Sequence, residues 1–228
     1  MKLERDSLLT ATLVVCALIT TGLVVRRELF APRPVFAESA AAKPILVQDW
    51  RSYLGDGVLL GPSAAPVKLL EFADFECPFC GDFQKRLRIL RERYPTQVAL
   101  IYIHLPLPMH RFALPAARVA ECAGSQGRFE AMYEQLFDGQ EQFGLKPWRE
   151  YAVAAQVPNL EAFDDCTKKT DSIARVEAGK QLGAKLDIRA TPTVIINGWK
   201  LGRPPSEQEL DTMVKAVLAG KSPVDGKS

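Results

Sequence analysis

The chain has 228 residues, enough for one ordinary domain or a core domain with an insertion, and too few for two large independent ones. With 47% apolar and 25% charged residues the composition is globular, neither disordered nor collagen-like. Lys and Arg stand at 29 against 27 for Asp and Glu; a body so nearly neutral lacks the clustered cations that nucleic acid demands, so no nucleic-acid partner is expected.

Residues 8–25 (LLTATLVVCALITTGLVV) form a charge-free apolar run. At about 1.5 Å per residue it spans roughly 27 Å, just enough for a bilayer. Lys2 and Arg5 flank it on one side and Arg26 and Arg27 on the other, which predicts a cytoplasmic tail and transmembrane signal anchor over residues 1–27. The run is longer than a usual signal-peptide core and no small-x-small site follows it closely, so the anchor reads as uncleaved, although Val35-Phe36-Ala37 offers a late cleavage site. The flanking positives balance and do not orient it. Residues 28–43, with Pro32, Pro34 and many Ala, read as a tether, and the globular body begins near Pro44.

Residues 66–73 (PVKLLEFA) are a mostly apolar run after a turn-rich segment, as expected of a strand buried on both faces. From Pro78 the residues Phe83, Leu87 and Leu90 recur at helical spacing with Lys85, Arg86, Arg88 and Arg91 opposite, until Pro95 ends the helix. Residues 98–105 (VALIYIHL) are a second strand, completing a βαβ unit. Beyond Pro108 only helical signals appear, including an Asn159-capped run from Leu160. Strands return at residues 193–196, an Asn197-Gly198 pair predicts a type I′ hairpin turn, and a last helix carries Leu210, Met213, Val214 and Val217 on one face. The order describes a small α/β core, residues 44–107 and 189–228, split by an all-helical insertion over residues 108–188.

Cys77-Pro78-Phe79-Cys80 is the sharpest chemical signal. It falls where a strand gives way to a helix, so the first sulfur sits at the helix N-terminus, whose unpaired N–H groups favour an anion. Cys77 is thereby expected to be the nucleophile and Cys80, one turn in, the shielded resolving thiol. Pro78 fits a position whose N–H has no partner. A zinc site would need a second Cys or His pair, which the chain lacks, so no metal is expected. His104 and His110 read as packing or surface residues, although His110, at a turn, can also line the cleft. Strand alternation points Glu71 toward the core beneath the cysteines, where burial would raise its pKa and let it take a proton from Cys80; an edge position would instead leave it in water. Thr191-Pro192-Thr193 precedes the hairpin strand, and a cis Pro192 beside Cys77 would leave the Thr191 backbone free to pair with an extended substrate; an ordinary trans Pro at a strand start is the alternative. Cys122 and Cys166 are buried apolar residues if the protein is cytosolic and a structural disulfide if it is exported. Cys16 is left in the membrane run.

Three segments together resemble the DsbA-like thioredoxin-fold thiol:disulfide oxidoreductases: residues 71–80 (EFADFECPFC), Ala116-Ala117 through Glu121-Cys122-Ala123, and Ala190-Thr191-Pro192-Thr193. The resemblance runs in family order over about residues 57–220. It implies a thioredoxin fold with an inserted helical domain, Cys77 as exposed nucleophile, Cys80 as its partner, Thr191-Pro192 as the cis-Pro loop, and Glu71 as the buried acid. The family's usual dipeptide between the cysteines is Pro-His, whereas Phe79 takes the second place here and cannot donate a hydrogen bond to the thiolate, which implies a milder oxidant.

The expected activity is formation of disulfides in exported polypeptides through the Cys77–Cys80 pair, with Thr191, Pro78 and Phe79 contacting substrate. Thiol exchange needs no cofactor. A membrane redox partner would reoxidise the pair, and the catalytic body would lie outside the cytoplasm, in the periplasm or at the cell surface. Two other readings stand beside it: a reductase or isomerase fed by a transmembrane electron donor, and a non-catalytic peptide-binding chaperone module.

Overall fold

The computed structural model describes residues 20–22 and 42–225. The chain divides into a unit over Met1–Ala41 and a second over Ala42–Ser228. Of the first only a helical turn at residues 20–22 is described, so most of the expected anchor and tether, with Cys16 and the 35–37 site, lies outside the described residues. Among those described, no helix is long and apolar enough to cross a membrane.

The second unit is built on a six-stranded sheet. In chain order its strands are β1 (Ile45–Leu46), β2 (Val58–Leu60), β3 (Val67–Ala73), β4 (Val98–His104), β5 (Thr193–Ile196) and β6 (Trp199–Lys200). They lie side by side as β1-β6-β5-β3-β4-β2. Only β3 and β4 run parallel, and helix α1 (Pro78–Arg93) is the crossover that parallel neighbours require. β5 pairs antiparallel with β3, while β2 and the short β1 close the two edges. These edge strands carry too few residues to show a period of two, and the sequence gives no sign of them.

Between β4 and β5 run five helices: α2 (Ala113–Gly124), α3 (Phe129–Asp138), α4 (Trp148–Ala154), α5 (Leu160–Thr167) and α6 (Ala174–Lys185). A disulfide from Cys122 to Cys166, with Cα atoms 5.8 Å apart, staples α2 to α5. The last helix among the described residues is α7 (Glu207–Leu218), whose capping box pairs Ser206 with Glu209. The hairpin between β5 and β6 turns at Asn197 and Gly198, both with positive φ (42° and 94°), as a type I′ turn requires.

Alternation along the central strands divides the core in two. Leu69, Leu100, Tyr102, Val194 and Ile196 face α1, α7 and the helical block, in company with Phe83, Leu87, Tyr133 and Val214. Leu70, Phe72, Ile101, Ile103 and Ile195 face the other way, against Leu182 of α6 and against Trp50 and Tyr53 of a 3-10 turn. Burial on both faces explains why β3 and β4 read as continuous apolar runs. It also fixes Glu71, between Leu70 and Phe72, on the α1 side. On the opposite face α6 approaches β4 so closely that a Cβ at Gly179 would stand 2.1 Å from the His104 carbonyl oxygen.

Candidate active site

Cys77 is the N-cap of α1 and Pro78 its first residue, so the sulfur sits where the helix begins. Its Sγ–H donates to the Thr191 carbonyl oxygen at 3.4 Å, which joins the redox turn to the loop before β5. The Thr191–Pro192 bond in that loop is cis. Cys77 and Cys80 are both thiols here, and Cys77 is 3% exposed while Cys80 is fully buried. Pro78 is exposed, as is Phe79, which leaves 67% of its surface free beside the cysteines.

The two thiols are driven apart in acidity. A hydrogen bond from Cys80 acts most strongly on Cys77 and, against the cost of burial, contacts with Thr191 and the backbone N–H groups of Cys80 and Phe79 add to it, bringing the pKa down to about 5. Burial pushes Cys80 well above its ordinary value, and the charges of Glu71 and Cys77 push the same way. The first thiol is therefore a ready nucleophile and leaving group, the second a strong base when it is released.

Beneath them Glu71 is wholly buried. Burial raises its pKa to about 8, with a smaller push from Cys77, although Tyr133 of α3 donates to Oε2 at 3.5 Å and resists the rise. Its other oxygen, Oε1, is buried with no hydrogen-bond partner among the described residues. Such a group holds a proton near neutrality and faces Cys80 electrostatically, which suits it to exchange that proton with the resolving sulfur.

Several residues that the sequence did not single out complete the site. Asp74 is its hub. The carbonyl oxygen of Asp74 accepts from Cys77 N–H at 3.1 Å, Oδ1 from Glu76 N–H at 2.7 Å, and Oδ2 from Leu107 N–H at 2.8 Å and from His110 Nδ1 at 2.7 Å. Glu76 in turn accepts from Phe112 N–H. From the far side Gln140, in a 3-10 turn of the helical block, donates through Nε2 to the carbonyl oxygens of Phe75 (2.6 Å) and Cys77 (2.8 Å). The redox turn is thus clamped by the loop after β4 and by the helical block. Their separation in sequence hides these contacts: only Asp74 and Glu76 lie near the cysteines, within the stretch 71–80 that carries the resemblance.

His104 plays a different part. It is buried at the end of β4, where Nε2 meets Glu121 Oε1 at 3.1 Å and Glu121 in turn meets Arg175 at 2.7 Å, binding α2 and α6 to the strand.

A parallel βαβ half, an antiparallel hairpin half, a helix-capping cysteine pair and a cis-Pro loop facing it define a thioredoxin-type protein. Residues 54–216 match the family described as Thioredoxin, and the chain belongs to it. Among solved structures it is similar to DsbA2 of Pseudomonas aeruginosa, at 28% identity, with a TM-score of 0.54 over 66% of this chain and 87% of that one. It shares the fold of oxidised BdbD from Bacillus subtilis, 21% identical, with a TM-score of 0.65 over 73% of this chain and 95% of that one. The catalytic domain of ScsC from Proteus mirabilis has that fold too, at 23% identity and a TM-score of 0.61, covering 77% of this chain and 99% of its own. Among curated proteins, the Na(+)/H(+) antiporter NhaA 1 of Mycolicibacterium gilvum is 34% identical over 71% of this chain. The match takes in 26% of that antiporter, so the chain spans about a quarter of such a relative.

Proposed function

We propose that the protein is a thiol:disulfide oxidoreductase that acts outside the cytoplasm and introduces disulfides into exported polypeptides. The observation that carries this reading is the arrangement of the thiol pair, with Cys77 capping α1 against the Thr191 carbonyl oxygen of the cis-Pro loop and Cys80 and Glu71 wholly buried, which lowers the Cys77 pKa and raises those of Cys80 and Glu71. In the oxidised protein a substrate thiolate attacks Cys77 Sγ, forming a mixed disulfide and breaking the bond to Cys80. The electron pair leaves on Cys80, which takes a proton from Glu71. A second substrate thiolate then attacks the substrate sulfur, and Cys77 departs as a thiolate. The substrate has lost two electrons and the protein has gained them.

Substrate is held beside Cys77 by the Thr191–Pro192 loop, with Pro78 and the exposed ring of Phe79 offering apolar contact. A membrane redox partner reoxidises the dithiol. The Cys122–Cys166 disulfide supports an oxidising compartment, since such staples persist outside the cytosol, and the apolar run at residues 8–25 would tether the body there. The reading is tested with Cys77→Ser in an assay that follows oxidation of a reduced, unfolded protein. Activity should vanish, and a Cys80→Ala variant given a substrate that already carries a disulfide should accumulate mixed disulfides at Cys77, whose thiolate attacks that bond and releases one substrate thiolate with no Cys80 to resolve the product. Full activity in Cys77→Ser would sink the mechanism.

A further inference from the structure

The Cys-x-x-Cys of this chain carries Phe79 where an imidazole could have steadied the thiolate, yet a second imidazole is tied to the same turn from elsewhere. His110 lies in the loop after β4, and its Nδ1 meets Asp74 Oδ2 at 2.7 Å. Both Asp74 oxygens already accept backbone N–H groups, so the ring is the donor in this contact. The Asp74 side chain is fully buried and that of His110 is 21% exposed. Asp74 also receives the Cys77 N–H on its carbonyl oxygen, while the His110 N–H is fixed on the Leu107 carbonyl oxygen at 3.0 Å. The imidazole is therefore anchored, through one residue, to the backbone that presents Cys77. Its Nε2 makes no hydrogen bond among the described residues.

We infer that His110, gripped by Asp74, is a positioning residue that keeps a cation beside the Cys77 thiolate, in the role that Phe79 cannot fill. The charged groups that act on it are Asp74, Glu76 and Cys77, all acidic. Against burial, which lowers it, these groups hold the imidazole pKa above its ordinary value of 6.5. The neighbouring Arg111 guanidinium rests instead over the Phe112 ring, 5.1 Å from its centroid. In the reduced site the Cys77 charge is thus one of those that favour the imidazolium. Oxidation removes the sulfur's charge, so by reciprocity the imidazole must release its proton more readily in the disulfide form.

The inference rests on Cys77 and Cys80 forming a working redox pair, and the two claims fail separately: Cys77→Ser tests the pair, while titration tests the cation. The thiolate absorbance of the reduced full chain in detergent is titrated for wild type, His110→Gln and His110→Lys. His110→Gln keeps a donor for Asp74 without the charge, and its Cys77 should bind the proton about two- to threefold more tightly, a smaller effect than that of the Cys80 and Thr191 contacts. His110→Lys restores a cation and should recover most of that loss. The second readout needs no variant fold: the chain has 2 histidines, so NMR can follow the His110 ring in wild type, where its midpoint should fall on oxidation. An unchanged Cys77 titration in folded His110→Gln, or an imidazole midpoint equal in the two redox states, would overturn the inference.

Discussion

Glu71 and Cys77 pull the stability of the protein in opposite directions with pH. Glu71 has its pKa raised on folding, from 4.5 to about 8, so the folded state binds the extra proton between those values and stability falls as pH rises through the window. Cys77 has its pKa lowered from 9.0 to about 5, so in the dithiol form stability grows from about pH 5 upward. The disulfide form has no thiolate, so there Cys77 no longer opposes the Glu71 slope. Denaturant unfolding of the oxidised protein should therefore give a stability that declines as pH rises above 4.5, through a window that closes below 8 because the push from Cys77 is gone, and Glu71→Gln should reduce the slope and stabilise the protein at pH 8 by on the order of a few kcal/mol. A slope that survives in Glu71→Gln would place the titrating group elsewhere. The same substitution should slow the step in which Cys80 is released, since no proton is held beneath it.

At this scale the sequence was legible where chemistry is local. The Cys77–Cys80 spacing, the strand phase of Glu71 and the position of Thr191–Pro192 could each be read along the chain. Asp74, Tyr133 and Gln140 could not. Their roles arise from partners 36, 62 and 63 residues away, and an amide or a carboxylate in a mixed segment carries no mark of what it will meet.

Among the elements, legibility followed length and turn chemistry. β3, α1 and β4 announce themselves by long periodic or apolar runs, and the final hairpin by Asn197-Gly198. β1 and β2, of 2 and 3 residues, are fixed by the strands they pair with rather than by their own pattern. The packing of α6 on β4 depends on a missing side chain. Gly179→Ala would set a methyl 2.1 Å from the His104 carbonyl oxygen, and the shift it forces should cost about 1–3 kcal/mol, read as a fall of several degrees in Tm. Wild-type Tm in that variant would mean that α6 can move aside freely. The staple between α2 and α5 offers a second check. Replacing Cys122 and Cys166 together by Ala should cost about 2–4 kcal/mol by freeing the 44-residue separation they close, while Cys77 and Cys80 still exchange. Loss of exchange in a protein that remains folded would show that the helical block does more than hold the redox turn.

For the molecule as a whole, the fold places two unlike thiols at a helix N-terminus, a buried acid below, and a cis-Pro loop against the first sulfur. The acidity of Cys77 stabilises the reduced form, and whatever stabilises the reduced form makes the disulfide a better oxidant. A low Cys77 pKa therefore shifts the pair toward donating its disulfide, and the partner's own potential completes the balance. The most direct test is the reduction potential of the Cys77–Cys80 pair in the full chain, equilibrated with glutathione. The site described here predicts a value less negative than about −200 mV, toward the −120 mV of a strong disulfide donor. A value near about −270 mV would mark a protein that receives electrons to reduce its substrates, and would contradict the assignment of disulfide formation.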